Sequence, residues 1–163
     1  MDWWFFREQT EDEAREYLAR FLDEGAAAIA GFGEQADYSL ASVPDVVATL
    51  RGQVELVEAW PPADAPDWVR EVVAEHGGGF RDFAESSRSC VLRAAYYVGA
   101  SFVTTYPVLR WELGGEERPE VRQPVVTGFA AGDDLAVLPV AEAMLAGDDA
   151  AEAVARRREA VTG

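Results

Sequence analysis

Apolar residues recur at three- and four-residue steps through the middle of this chain. Phe83, Ser87, Cys90, Val91, Ala94, Tyr97, Val98, Ser101, Phe102 and Thr105 share one face of a helix. Asp82, Glu85, Ser86, Ser89 and Arg93 lie on the other. The spacing predicts one long helix from Phe80 to Tyr106. Towards its end apolar residues surround the cylinder (Ala94, Ala95, Tyr96, Tyr97, Val98), the pattern of a helix covered on more than one side. Gly99 in its interior lowers helix propensity by roughly 1 kcal/mol relative to Ala. Close approach of another element is a physical reason to keep a glycine there. Pro107 ends the helix, because the residue before a proline is pushed out of the α region.

The pattern then changes period. Val108 to Phe129 reads as a β-hairpin: Val108–Leu113 alternates, Gly114–Pro119 supplies turn residues, and Val125, Val126, Thr127 and Phe129 form the return strand. Pro124 donates no ladder hydrogen bond, so that strand is expected at a sheet edge or starting at the proline.

The same reading extends to the rest of the chain. Trp3, Trp4, Phe5 and Phe6 form an aromatic cluster expected to dock on the core as a strand or arm; left exposed, it would be a partner-binding patch. Thr10-Glu11-Asp12-Glu13 is a capping box. It opens a helix whose face is Ala14, Tyr17, Leu18, Phe21 and Leu22, and which stops near Gly31 or Gly33. Gln35 to Ser42 is a loop. Ser42 with Asp45 reads as a second capping-box variant, opening a helix faced by Val43, Val46, Val47, Leu50, Val54 and Val57. Asp64 opens a short third helix through Val73, and Gly77-Gly78-Gly79 stops it as a hinge. After the hairpin and a polar loop (Ala130–Asp134), a helix runs from Leu135 to Ala146 and Gly147 ends it. Asp148 then caps a last helix, Asp149–Val161, with Arg156-Arg157-Arg158 in its final turns. The expectation is a single α+β domain over residues 1–163, helix-dominated, with a long central helix packed on a small antiparallel hairpin or sheet.

Composition narrows the function classes. The chain is 49% hydrophobic over 163 residues, enough for one domain with its own core. No run of 18 apolar residues occurs, and the N-terminus lacks the basic region of a signal peptide, so no membrane association is expected. Thirty acids oppose fourteen bases, all arginine, for a net charge of −16. That balance argues against direct nucleic-acid binding and fits a basic protein partner. Cys90 is alone, which excludes a disulfide framework and points to the cytoplasm.

Candidate chemistry is sparse. One histidine (His76) and one cysteine do not make a zinc set, and the Asp133-Asp134 and Asp148-Asp149 pairs are better explained as caps and loop residues. The three glycines lack the lysine and hydroxyl of a phosphate loop. His76 has no identifiable orienting partner. No catalytic residue, metal ligand or cofactor is assigned.

Asp37-Tyr38-Ser39-Leu40-Ala41-Ser42-Val43, Ala95-Tyr96-Tyr97-Val98-Gly99 and Leu109-Arg110-Trp111 together resemble a loose group of uncharacterised bacterial α+β proteins of the immunity-protein or domain-of-unknown-function type. The resemblance covers Asp37 to Ala146. The chain departs from that pattern after Gly99, where Ala100 and Ser101 replace the usual glutamate. The resemblance implies a small cytoplasmic bacterial protein that guards against a toxin. Two functions follow as expectations. The first is a non-enzymatic protein-binding module, an immunity protein or inhibitor of a basic partner. The second is a small-molecule-binding or hydrolytic domain with a pocket between the long helix and the hairpin, lined by Tyr96, Tyr97, Arg110 and Trp111.

Overall fold

The computed structural model describes residues 4–59, 67, 70, 71, 80–117, 120–130 and 132–162. Most of the expected third helix, Trp3, His76 and the glycines at 77–79 lie outside the described residues. The first elements are α1 (Trp4–Glu8) and α2 (Glu11–Ile29), which runs into a 3-10 turn, Ala30–Gln35. Next come α3 (Val43–Arg51), β1 (Leu56–Ala59), β2 (Phe80–Phe83) and a 3-10 turn at Glu85–Ser87. Then follow α4 (Arg88–Thr105), β3 (Arg110–Leu113), β4 (Pro124–Thr127), β5 (Leu135–Ala136), α5 (Val137–Ala146) and α6 (Ala150–Thr162).

Helix α4 is the centre of the fold. Cys90, Val91, Ala94, Ala95, Tyr97, Val98, Gly99, Ala100, Ser101 and Phe102 are all buried along it, and it packs against α2, α3, α5 and the β3–β4 strands. Full burial of a side chain the size of Phe102 contributes roughly 1.5–3 kcal/mol. Cys90 is a free, buried thiol, as its place on the apolar face predicts. The three-stranded sheet, in the order β3-β4-β5, is antiparallel throughout. Helix dominance with small antiparallel sheets agrees with the fold class read from the sequence.

Side chains anchor the ends of these elements. The capping box of α2 forms as expected: Glu13 N–H donates to Thr10 Oγ1 at 3.3 Å, and Thr10 N–H donates to Glu13 Oε2 at 2.7 Å. Arg51, in the last turn of α3, donates to the carbonyls of Met144 and Asp148, the latter at 2.8 Å. It thereby meets one of the C-terminal carbonyls of α5, that of Met144, and a carbonyl just past the helix. Arg122 donates to the carbonyls of Arg7 and Gln9, which pins the α1–α2 junction to the hairpin.

Several expectations are corrected. The long helix begins at Arg88; Phe80–Phe83 is instead a strand, paired antiparallel with Leu56–Ala59 so that Leu56 faces Phe83. Correspondingly, α3 stops at Arg51, and Val54 and Val57 are not on it. Ser42 stands at the N-cap of α3 without a capping hydrogen bond, because its hydroxyl is engaged elsewhere. Of the two readings of the return strand the second holds: β4 starts at Pro124, and it is the middle strand rather than an edge. Pro124 is tolerated because it is the first residue, opposite Leu113, before pairing with β5 begins at Val125. Asp149, not Asp148, caps α6, accepting from the N–H groups of Ala151 (2.8 Å) and Glu152 (3.1 Å). The arginine triplet lies in the final turns of α6 as expected, one turn before the last. The aromatic N-terminus forms a short helix rather than a strand, with Phe6 buried and Phe5 49% exposed.

The close approach expected at Gly99 is present. A Cβ at Gly99 would lie 2.1 Å from the Cη2 of Trp111, and a Cβ at Gly25 of α2 would lie 2.3 Å from the Cγ of Tyr96. Tyr96 and Trp111 stack with rings 5° from parallel and centroids 6.3 Å apart, in the space those two glycines leave. An indole ring held between two helices cannot move aside cheaply. Gly99→Ala is therefore expected to destabilise the fold by about 2 kcal/mol or more, despite alanine's better helix propensity. Urea unfolding of the variant checks this, and a variant as stable as wild type would refute the close-packing account.

Candidate functional site

The structure separates the four residues singled out from the sequence. Tyr96 and Trp111, both half-buried, form the stack just described, and the Phe21 ring meets both edge-on at 6.2 and 5.7 Å. Burial, with the neighbouring Tyr38 hydroxyl, pushes the Tyr96 phenol up to about 12, so it stays protonated. Arg110 is exposed and pairs with Glu112 at 2.5 Å. Tyr97 is fully buried in the core.

The hydroxyl of Tyr97 is one link in a hydrogen-bonded chain. Tyr38 N–H donates to Tyr97 Oη at 3.1 Å, Tyr97 Oη and Ser42 Oγ are 2.7 Å apart, and Ser42 Oγ lies 2.7 Å from Asp37 Oδ1. With the Ser42 hydroxyl donating to Asp37, the Tyr97 hydroxyl donates to Ser42 Oγ. Asp37 also accepts from Ser39 N–H at 2.8 Å. These bonds hold Tyr38 at φ 59°, a backbone conformation uncommon for a residue other than glycine. The exposed Asp37 carboxyl is held below the usual carboxylate range by the Ser39 N–H and then by the Ser42 hydroxyl. The arrangement locks the loop before α3 onto α4. Its serine, carboxylate and phenol spend their donors and acceptors on one another and on the loop backbone, the arrangement of a network that fixes a loop.

The features best suited to recognition lie along α1 and α2, at the aromatic cluster that the sequence offers as a partner-binding patch where it stays exposed. Phe5, Glu8, Gln9, Glu13, Glu16, Tyr17 and Arg20 line a cleft of about 330 Å³ between α1 and α2. Glu8, Glu13 and Glu16 are exposed there, and Glu11 and Asp12, exposed on the same stretch outside the lining, ion-pair with Arg15. Glu13 is held below its usual range by the Thr10 N–H and hydroxyl, which keeps it ionised. Gln9 is only 8% exposed, and its side-chain oxygen accepts no hydrogen bond. The available signals were the five acids between residues 8 and 16 and the aromatic residues just before them.

Among the described residues no group of three His, Cys, Asp or Glu side chains converges to hold a metal ion, and no helix is long and apolar enough to cross a membrane. No protein family, curated protein or solved structure matches this chain.

Two outcomes test the hydrogen-bonded chain. Tyr97→Phe is expected to lower stability by about 1–2 kcal/mol, because it removes the hydroxyl that receives the part-buried Tyr38 N–H; an unchanged urea midpoint would show that the loop is held otherwise. Asp37 titrates in the folded state below its unfolded value near 3.9. Its contribution is therefore present above that value and is lost as pH falls through the folded one. The stability gap between wild type and Asp37→Asn should accordingly be open at neutral pH and close in acid. A gap of constant size at all pH values would mean that the carboxylate charge plays no part.

Proposed function

We propose that this chain is a non-enzymatic, cytoplasmic binding protein whose acidic α1–α2 face receives a basic segment of a protein partner, in the manner of an immunity protein or inhibitor. The observation that carries the reading is the cleft in which the 49%-exposed Phe5 lies beside Glu8, Glu13 and Glu16, on a chain of net charge −16. An exposed aromatic ring rimmed by carboxylates suits a segment with both arginine or lysine and apolar residues. The immunity-type resemblance at Asp37–Val43 agrees with this reading, although those residues serve the fold.

Acidic surfaces of this kind accelerate association through long-range attraction, which salt screens. The Debye length falls from about 8 Å at physiological ionic strength to about 3 Å at 1 M. A stoichiometric complex with a basic protein is therefore expected at low salt and should be lost at high salt. Neutralising the ridge (Glu8→Gln, Glu11→Gln, Asp12→Asn, Glu16→Gln) should weaken that complex about ten-fold or more and flatten its salt dependence, while Glu13 is kept because it caps α2. Binding measured with the recovered partner by calorimetry checks both. Absence of a basic partner at low salt, or binding unmoved by the neutralised ridge, would overturn the reading.

A further inference from the structure

A second cleft, also of about 330 Å³, lies across Tyr17 from the acidic one, between α2 and the first turns of α4. Its size is at the small end of ligand sites. Its lining differs in character. Arg20 and Arg93 reach it from the two helices, with the exposed Ser89 at the rim and Phe21 and Leu92 as apolar walls.

Arg93 is half-buried, yet among the described residues it makes no ion pair and no hydrogen bond. Acids outnumber bases two to one in this chain, so an arginine without a carboxylate is unexpected on composition alone. A guanidinium partly withdrawn from water is unfavourable unless something meets its donors. Arg20 stands over the Tyr17 ring, 5.6 Å from the centroid. A guanidinium attracted to a ring rather than paired with a carboxylate keeps N–H groups for an acceptor. Glu16 and Glu24 sit one turn to either side of Arg20, and it pairs with neither. Glu24 itself lines the cleft, so two arginines and one glutamate give this lining a single net positive charge.

From this arrangement we infer that the α2–α4 cleft is a binding site for a small organic carboxylate. Its head group lies between Arg20 and Arg93 with the Ser89 hydroxyl in reach, and its apolar body, of the size of one ring, lies against Phe21 and Leu92. The single net charge favours a monoanion over a phosphate dianion, since Glu24 repels the second negative charge. The site is separate from the acidic face proposed to bind a partner, apart from the shared border residues Tyr17 and Arg20, and either can exist without the other.

Titration of the full chain with benzoate, followed by amide chemical shifts, tests the inference, with phenyl phosphate and benzyl alcohol as comparison ligands. Benzoate is expected to give saturable shifts confined to residues 17–28 and 89–93. Phenyl phosphate should bind more weakly, and benzyl alcohol should show no saturation. Arg93→Gln should weaken benzoate binding by about ten-fold, the scale of one charge-assisted contact. Glu24→Gln should tighten it, and a change in that direction cannot come from loss of the fold. Shifts spread over the surface or unchanged in Arg93→Gln, no tightening in Glu24→Gln, tighter binding of phenyl phosphate, or saturable binding of benzyl alcohol would each overturn the assignment.

Discussion

The stack of Tyr96 on Trp111 is the contact on which the remaining architecture depends. It has room only because two different helices omit a Cβ: Gly25 on α2 beneath Tyr96, and Gly99 on α4 beneath Trp111. Each omission weakens its own helix by roughly 1 kcal/mol against alanine. The gain is that α2, α4 and β3 come together around two large rings, with Phe21 closing the edge. Ring contacts extend from there in both directions. They reach Tyr38 and Tyr97 on one side, and Tyr17, Phe6 and Phe5 on the other. A line of aromatic packing thus joins the centre of the fold to the rim of the acidic cleft, so the position of Phe5 is set by the core rather than by α1 alone.

The polar side chains near the core serve the same purpose. Asp37, Ser39, Ser42 and Tyr97 have the composition of a site, but their donors and acceptors meet one another, and the result is a loop held in an uncommon backbone conformation. This also explains why Ser42 fails as a helix cap. A hydroxyl engaged with Asp37 and Tyr97 has no lone pair directed at the amides of α3. Long-range hydrogen bonding here overrides a local preference.

How far the molecule was legible in its sequence follows from the range of the forces involved. The capping box at Thr10, the helix end before Pro107 and the close approach at Gly99 are local or nearly so, and all three were readable. The β1–β2 pair was not. Val54 and Val57 continue the three- and four-residue spacing of α3, and Phe83 continues that of α4, so periodicity alone extends both helices. Only the pairing of Leu56 with Phe83, 27 positions apart, shows that these segments are strands. The candidate site failed for a geometric reason. Tyr96 and Tyr97 are consecutive on a helix and point about 100° apart, while Arg110 and Trp111 are consecutive on a strand and point to opposite faces. A cluster in sequence therefore became two contributors to one stack, one core residue and one surface ion pair. Gly25, the other half of the pocket that houses the stack, was passed over, because the helix pattern continues through it to Gly31 or Gly33 and the ring it makes room for, Tyr96, is distant in sequence.

Helix α2 shows how one element can present opposite charges within a few ångströms. Its inward stripe is Tyr17, Phe21, Gly25 and Ile29, successive residues four apart, which the core requires to be apolar or small. The row beside that stripe is Glu16, Arg20 and Glu24, also four apart and free of packing demands. That row rims both clefts, Glu16 on the acidic side and Glu24 on the arginine side, with Arg20 lying on Tyr17 between them. In water such an i,i+4 series would ordinarily form ion pairs worth a few tenths of a kcal/mol each. The attraction of Arg20 to the tyrosine ring prevails over both, because the ring is fixed by Phe6 and Phe21 while the glutamates are free to remain hydrated. The separation of the two clefts is thus a consequence of core packing: the buried stripe fixes Tyr17, Tyr17 positions Arg20, and Arg20 divides a negative surface from a positive one.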